Sequence, residues 1–155
     1  MLSVYRICKT KYATPAFDGE GAFRFGGRWN RRGTRIIYTA GSIALAALEM
    51  LVHLDDDDLI FAYSYIVAHI PAELILPVKD FRPLPKNWSA SPTPASLQQL
   101  GDDWIQEQTS AVLEVPTAIV PREKNYLLNP AHPDFAKIKL EKPERFVLDE
   151  RLRKG

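Results

Sequence analysis

Residues 21–54 read GAFRFGGRWNRRGTRIIYTAGSIALAALEMLVHL, and they join a glycine- and arginine-rich loop to a short strand and then to a helix with one carboxylate. In the loop, Arg24, Arg28, Arg31, Arg32 and Arg35 follow one another with no acid between them. Gly26, Gly27 and Gly33 permit positive φ or a close backbone approach to a ligand. The β-branched and aromatic run Arg35-Ile36-Ile37-Tyr38 predicts a strand. Gly41-Ser42 breaks it, and Ser42 is an N-cap for a helix over Ile43 to Leu54.

Glu49 is the informative position of that helix. Three and four residues away stand Leu45, Ala46, Val52 and His53, so the carboxylate shares its face with apolar groups. An ionised carboxylate on a buried face costs several kcal/mol unless it is paired or hydrogen-bonded. The nearest cations in the chain are those of the arginine loop. One reading is a core Glu–Arg pair that pins loop to helix. The other is a charged site whose surplus arginines favour an anionic ligand.

Outward from this stretch, 155 residues suffice for a single compact domain over 1–155 with its own core. Lys+Arg 20 against Asp+Glu 19 gives +1, so no global charge draws the chain to nucleic acid or to a membrane surface. Cys8 is the single cysteine; it excludes an internal disulfide, and no cysteine–histidine cluster suggests zinc, so no metal is expected. The start, MLSVYRICKT, lacks the apolar core of a signal peptide, and no stretch approaches a membrane span. The expected location is cytoplasmic.

A first strand is expected at Leu2 to Cys8, with Arg6 read as an exposed edge residue or as a cation aimed into the same site. Asp18-Gly19-Glu20-Gly21 reads as a turn; Gly19 and Gly21 suggest a dinucleotide fingerprint, but Arg24 stands where its third glycine belongs, which excludes that motif. Further on, Asp55 to Asp58 reads as a solvated turn and Leu59 to Ile70 as a long strand. Leu74 to Pro77 reads as a short strand and Pro83 to Pro94 as an irregular connection. Ala95 to Gln108 is a second helix with Leu97, Leu100, Trp104 and Ile105 on its buried stripe. A strand is expected over Thr109 to Pro116, continued or paired at Ala118 to Val120; Asn125 to Pro133 reads as a polar loop. Ile138 to Leu140 and Arg145 to Leu148 read as closing strands. Strands and helices without regular alternation predict an α+β fold.

GGRWN, the tyrosine ending the next strand, Glu49, and SAVLEVP followed by NYLLNPAHPDF together resemble the RES domain family, whose members are toxins of bacterial toxin–antitoxin modules. The likeness runs from Tyr5-Arg6 to Leu148–Leu152. It implies an ADP-ribosyltransferase-like fold of mixed sheets with flanking helices. It also implies consumption of NAD as substrate, with water, phosphate or a protein as acceptor, and an Xre-type antitoxin that covers the active site. Matched residue by residue, Arg28 is the family's arginine, Glu49 its glutamate and Tyr38 its tyrosine, with Arg6 a further arginine. Ser110 matches the serine, although relatives carry a second serine after Val-Pro, where this chain has Thr117.

The chemistry these residues would perform is coherent in itself. Nicotinamide is already a cationic leaving group in NAD, so cleavage of its ribosyl bond needs stabilisation of an oxocarbenium-like transition state and orientation of the ribose. Glu49 suits both. Arg28 and Arg6 suit the pyrophosphate, because a guanidinium binds phosphate oxygens as a fork. Tyr38 suits stacking on the cationic ring, and Ser110 would hold the carboxamide or orient Glu49. Two alternatives remain beside this expectation. One is a mono-ADP-ribosyltransferase that modifies a host protein. The other is a non-enzymatic module binding phosphates or nucleic acid, which leaves Glu49 unexplained because an acid beside phosphates weakens binding. Direct nucleic-acid binding is therefore not expected.

Overall fold

Leu127, Leu128, Val112 and Leu113 are fully buried, and the strands that carry them are interior strands of one mixed sheet. The computed structural model describes residues 1–14, 17–55, 57–58 and 61–152. Its strands are β1 (Leu2–Lys9), β2 (Ile37–Ala40), β3 (Tyr63–Ile70), β4 (Ile75–Pro77), β5 (Val112–Pro116), β6 (Lys124–Leu128), β7 (Lys139–Leu140) and β8 (Glu144–Phe146). The helices are α1 (Glu20–Phe25), α2 (Ile43–His53), α3 (Val78–Phe81) and α4 (Ala95–Glu107). The strand order is β4-β5-β6-β2-β1-β3-β7, with β8 also on β3; only β4 and β5 run parallel among the described pairs. The architecture is α+β.

Side-chain alternation along the strands divides the core. Ile37, Val112 and Leu128 point to one face, where Val4, Ala68, Ile70 and Ile138 join them. Leu113, Val115 and Leu127 point to the other, under Leu97, Leu100 and Trp104 of α4. Truncating a fully buried leucine such as Leu127 to alanine costs about 2–5 kcal/mol by lost burial and the cavity left. On that second face, α2 lays Leu45 and Ala46 against Ala40 of β2 and Tyr5 and Ile7 of β1.

Several expectations hold and several are corrected. Ser42 does cap α2: its hydroxyl accepts from the Leu45 amide at 3.0 Å. The strand expected at Arg35–Tyr38 starts at Ile37, because pairing begins at Ile37↔Leu128 while Arg35 turns out to an ion pair with Glu20. The turn at Asp18 to Gly21 opens the short helix α1. Arg6 is no edge residue, since β1 is flanked by β2 and β3. Ala118 to Val120 is a turn, in which the Thr117 hydroxyl accepts from the Val120 amide at 2.8 Å. The largest correction is Asn125 to Leu128. This segment is not loop but part of β6, bonded to β5 on one side and β2 on the other. The strand expected from Leu59 is observed from Tyr63; Leu59 and Ile60 lie outside the described residues.

Candidate active site

The seam between β1 and β2 shapes the site. The two strands are in register at a single pair, Tyr5↔Ala40. Where the next rung would bring Ile7 to Tyr38, the guanidinium of Arg6 takes the place of a backbone donor: its Nη1 donates to the Tyr38 carbonyl oxygen at 3.1 Å. A cavity of about 330 Å³ opens there, lined by Arg6, Tyr38, Glu49 and Asn125, with Lys9, His53, Asp58 and Tyr63 further along its wall.

Each of the four arrives from a different element: Arg6 from β1, Tyr38 from β2, Glu49 from α2 and Asn125 from β6. Glu49 does not pair with an arginine among the described residues, contrary to the reading of a core Glu–Arg pair. Its Oε1 accepts from Asn125 Nδ2 at 2.9 Å. Four of the five loop arginines are occupied elsewhere. Arg24 and Arg35 both pair with Glu20 at 2.7 Å, and Arg31 donates to the Gln99 side chain. Arg6 is the cation that reaches the cavity without a carboxylate: it forms no ion pair among the described residues, and its buried Nε has no partner. Burial pushes its pKa down, against smaller upward effects from Cys8 and Asp18. A charge held at such cost favours an anion in the cavity.

Tyr38 joins the cavity to the GGRWN turn. Its hydroxyl donates to Asn30 Oδ1 at 2.6 Å and accepts from the Trp29 amide at 3.0 Å. Burial raises the phenol's pKa strongly, with smaller effects from the Trp29 amide and the charges of Asp102 and Arg28. Asn30 is fully buried, and its Nδ2 donates to the carbonyls of Ala22, Arg31 and Thr34. The glycines have definite work here. A Cβ on Gly27 would lie 2.6 Å from the Tyr38 hydroxyl, and one on Gly101 of α4 would lie 1.7 Å from the Trp29 carbonyl oxygen. The turn is therefore clamped between Tyr38 and α4.

Arg28 and Ser110 lie outside the cavity lining. Arg28 Nη1 donates to the carbonyls of Trp88 and Ala90, both at 3.1 Å, which ties the turn to the proline-rich connection before α4. Ser110 accepts from Trp104 Nε1 at 2.9 Å and donates to the Val112 carbonyl at 2.8 Å. Thr117 closes its own turn. Asn125 is the residue that sequence reasoning missed. The signal was a polar side chain at the head of the apolar run Tyr126-Leu127-Leu128, hidden once the segment was read as loop.

A second polar series, Ser3–His69–Glu141, crosses the sheet edge, but His69 and Glu141 are 34% and 50% exposed and none of the three lines the cavity. Among the described residues no group of histidine, cysteine, aspartate and glutamate could hold a metal, and no helix is long and apolar enough to cross a membrane.

A mixed sheet split at one seam thus brings an arginine and a glutamate to the walls of one cavity in a single α+β domain. The family model described as the RES domain matches residues 3–149, and the chain belongs to that family. It is 39% identical over 153 residues to Toxin Res of Photorhabdus laumondii, covering 98% of this chain and 97% of that protein. It is 36% identical to Toxin Res of Yersinia enterocolitica, covering 98% and 100%. It is also 39% identical to the Prs ADP-ribosylating toxin of Sphingobium sp., covering 91% and 89%. In fold it is similar to a chain in the crystal structure of the M. tuberculosis MbcT–MbcA toxin–antitoxin complex, with a TM-score of 0.72 at 19% identity over 93% of this chain and 83% of the other.

Proposed function

We propose that this protein is the toxin of a toxin–antitoxin module and that it consumes NAD by breaking the bond between nicotinamide and ribose. The observation that carries the proposal is the presence of Glu49 and the unpaired, largely buried Arg6 on the walls of one cavity. Few ligands ask for both. A dinucleotide does, because its diphosphate needs a cation while its reacting ribose needs an anion a few bonds away.

In the proposed reaction the C1′–N bond breaks and its electron pair passes to the ring nitrogen, so nicotinamide leaves neutral. The positive charge moves to the ribose, where the Glu49 carboxylate stabilises it. A nucleophile adds at C1′ and gives up its proton to the Glu49 carboxylate. Arg6 holds a phosphate oxygen as a charge-assisted donor through the nitrogens not used on Tyr38. The Tyr38 ring, fixed through its hydroxyl, offers a face for the cationic nicotinamide, worth about 0.5–2 kcal/mol as a cation–π contact. Arg28 acts by holding the adjoining turn and connection in place, and Ser110 by holding α4 against β5.

The acceptor divides two readings. Water or phosphate makes the protein a glycohydrolase or phosphorylase; a protein acceptor makes it a mono-ADP-ribosyltransferase, the reading favoured by its 39% identity to a relative named as an ADP-ribosylating toxin. Incubation of the purified protein with NAD, with and without candidate acceptor proteins, is expected to release free nicotinamide. Release that depends on an acceptor identifies the transferase. No release under either condition refutes both.

The partner proposed is an Xre-type antitoxin that covers the cavity mouth; similarity in fold to a chain of a toxin–antitoxin complex supports an antitoxin partner in general. Expressed alone, the toxin is expected to arrest growth and drain cellular NAD. Co-expressed with its antitoxin, it is expected to do neither. Glu49→Gln is expected to be harmless alone; persistent toxicity of that variant would move the toxicity away from NAD chemistry.

A further inference from the structure

A second cation of β1, Lys9, stands three residues beyond Arg6, at the end of the cavity that His53, Asp58 and Tyr63 also line. Its Nζ lies 3.3 Å from Asp58 Oδ1 and 4.1 Å from the centroid of the Phe61 ring. This ion pair is longer than those of Glu20, which close to 2.7 Å, and its side chains remain 28% and 27% exposed. Asp58 is itself held from two sides. Its Oδ2 accepts from the Asp55 amide and its carbonyl from the Tyr63 hydroxyl, both at 3.1 Å. Tyr63 is the register partner of Lys9 across β1 and β3, so the strand beside the lysine holds the carboxylate against it.

Charge on the cavity walls decides what this pair can do. Among the described lining residues Arg6 and Lys9 stand against Glu49 and Asp58, so the walls are balanced. A dinucleotide brings two further negative charges on its diphosphate, and Arg6 meets one of them. The other needs a cation that Asp58 already occupies. An ammonium on a flexible stem can change partners, and a partly exposed ion pair holds it weakly. Resting on NAD as the substrate proposed above, we infer that Asp58 is an internal stand-in for a phosphate. It keeps Lys9 in the free protein, and Lys9 passes from Asp58 to the second phosphate when the dinucleotide enters. The residues from Asp55 follow directly on α2, so Lys9 stands by the end of that helix, a turn beyond Glu49. The exchange therefore reads the adenylate half of the substrate, away from the bond that breaks. Nicotinamide mononucleotide lacks that second phosphate and leaves Lys9 on Asp58.

The test is calorimetric titration of NAD and of nicotinamide mononucleotide into the Glu49→Gln protein, in which turnover does not disturb the measurement, with and without a second substitution. Lys9→Met is expected to weaken NAD by about 10-fold to 100-fold, the range for one hydrogen bond to a charged group. The preference for NAD over the mononucleotide falls by the same factor. Lys9→Arg keeps a charge at the position and most of that preference. Asp58→Asn frees the lysine from its competitor and is expected to tighten NAD by about 2-fold to 5-fold, the worth of a partly exposed ion pair. A purely structural Lys9–Asp58 tie gives no such gain. Where Lys9→Met fails to melt like its parent, Lys9→Gln replaces it. A Lys9 variant that binds NAD like its parent, or that weakens NAD and the mononucleotide alike, overturns the role of Lys9. An Asp58→Asn protein that binds NAD no better than its parent overturns the exchange. Nicotinamide release by the wild type is followed alongside: its absence, with the titrations as expected, overturns the cleavage reading and leaves the exchange standing.

Discussion

The GGRWN turn and the cavity beside it treat polar groups in opposite ways. In the turn, hydrogen bonds are made in excess: Asn30 Nδ2 donates to three carbonyls, Asn30 Oδ1 accepts from Tyr38, and Gln98 Nε2 donates to the carbonyls of Gly27 and Asn30. In the cavity they are withheld, with Arg6 Nε and Asn125 Oδ1 both buried and unpartnered. A saturated network specifies a conformation. An unsaturated one stores a demand that a ligand meets. Under the proposed function the contrast makes the turn structural and the cavity the place of recognition, although the turn is the more conspicuous motif.

The sharpest break of that comparison is Glu49→Gln. It is expected to lower NAD consumption by about 10²–10³-fold, the range for losing one transition-state electrostatic partner, while the melting temperature stays near that of the parent. An equally active variant removes Glu49 from the chemistry. Asn30→Ala is the reverse case. It leaves the Tyr38 hydroxyl and three carbonyls without their partner, and denaturant titration is expected to show a loss of about 3 kcal/mol. Remaining folded protein should keep its KM. If KM rose sharply at unchanged stability, the turn would belong to recognition.

Two arginines sharpen the comparison further. Arg6→Met removes a buried charge that has no carboxylate partner, so stability is expected to hold or rise, while the affinity for NAD falls by about 1.5–3 kcal/mol. Arg28→Met releases the Trp88 and Ala90 carbonyls and is expected to lower stability more than affinity. Binding and melting measured on both variants decide between them. The converse pattern would make Arg28 the phosphate ligand.

The smallest effect lies away from the site. Burial and the neighbouring Glu114 push the Tyr126 phenol from an ordinary 10.0 up to about 12. A raised pKa means that this tyrosine stabilises the fold fully below pH 10 and that its contribution is lost as the pH rises through 12. Tyr126→Phe, followed by alkaline unfolding, should flatten the curve in that window.

Much of the scaffold was legible because it follows local rules. Ser42 before an apolar helix, the alternation of β3 and the stripe on α4 all act over a few residues. What escaped is set by partners distant in sequence. Asn125–Leu128 looks like loop beside Asn129-Pro130, and only flanking by both β5 and β2 makes it a central strand. Glu49 was recognisable as a carboxylate on an apolar face, yet its partner, Asn125, lies 76 residues away and carries no charge to betray it. The arginine loop misled for a related reason. Proximity in sequence suggested convergence on Glu49, whereas Glu20 and Gln99 take three of those side chains.

The one-rung seam has a mechanical consequence. β4, β5, β6 and β2 form one hydrogen-bonded plate and β1, β3, β7 and β8 the other, joined in register at Tyr5↔Ala40 and strapped by α2. Arg6 sits on one plate and Asn125 on the other, so a molecule that engages both is a cross-brace at the weakest joint. Such a brace should slow amide exchange along β1 and β2 before it affects β5 and β6. At a hundred times its dissociation constant it should also add about 2.7 kcal/mol to global stability. The same joint makes any tightly seated inhibitor a stiffener of the whole protein.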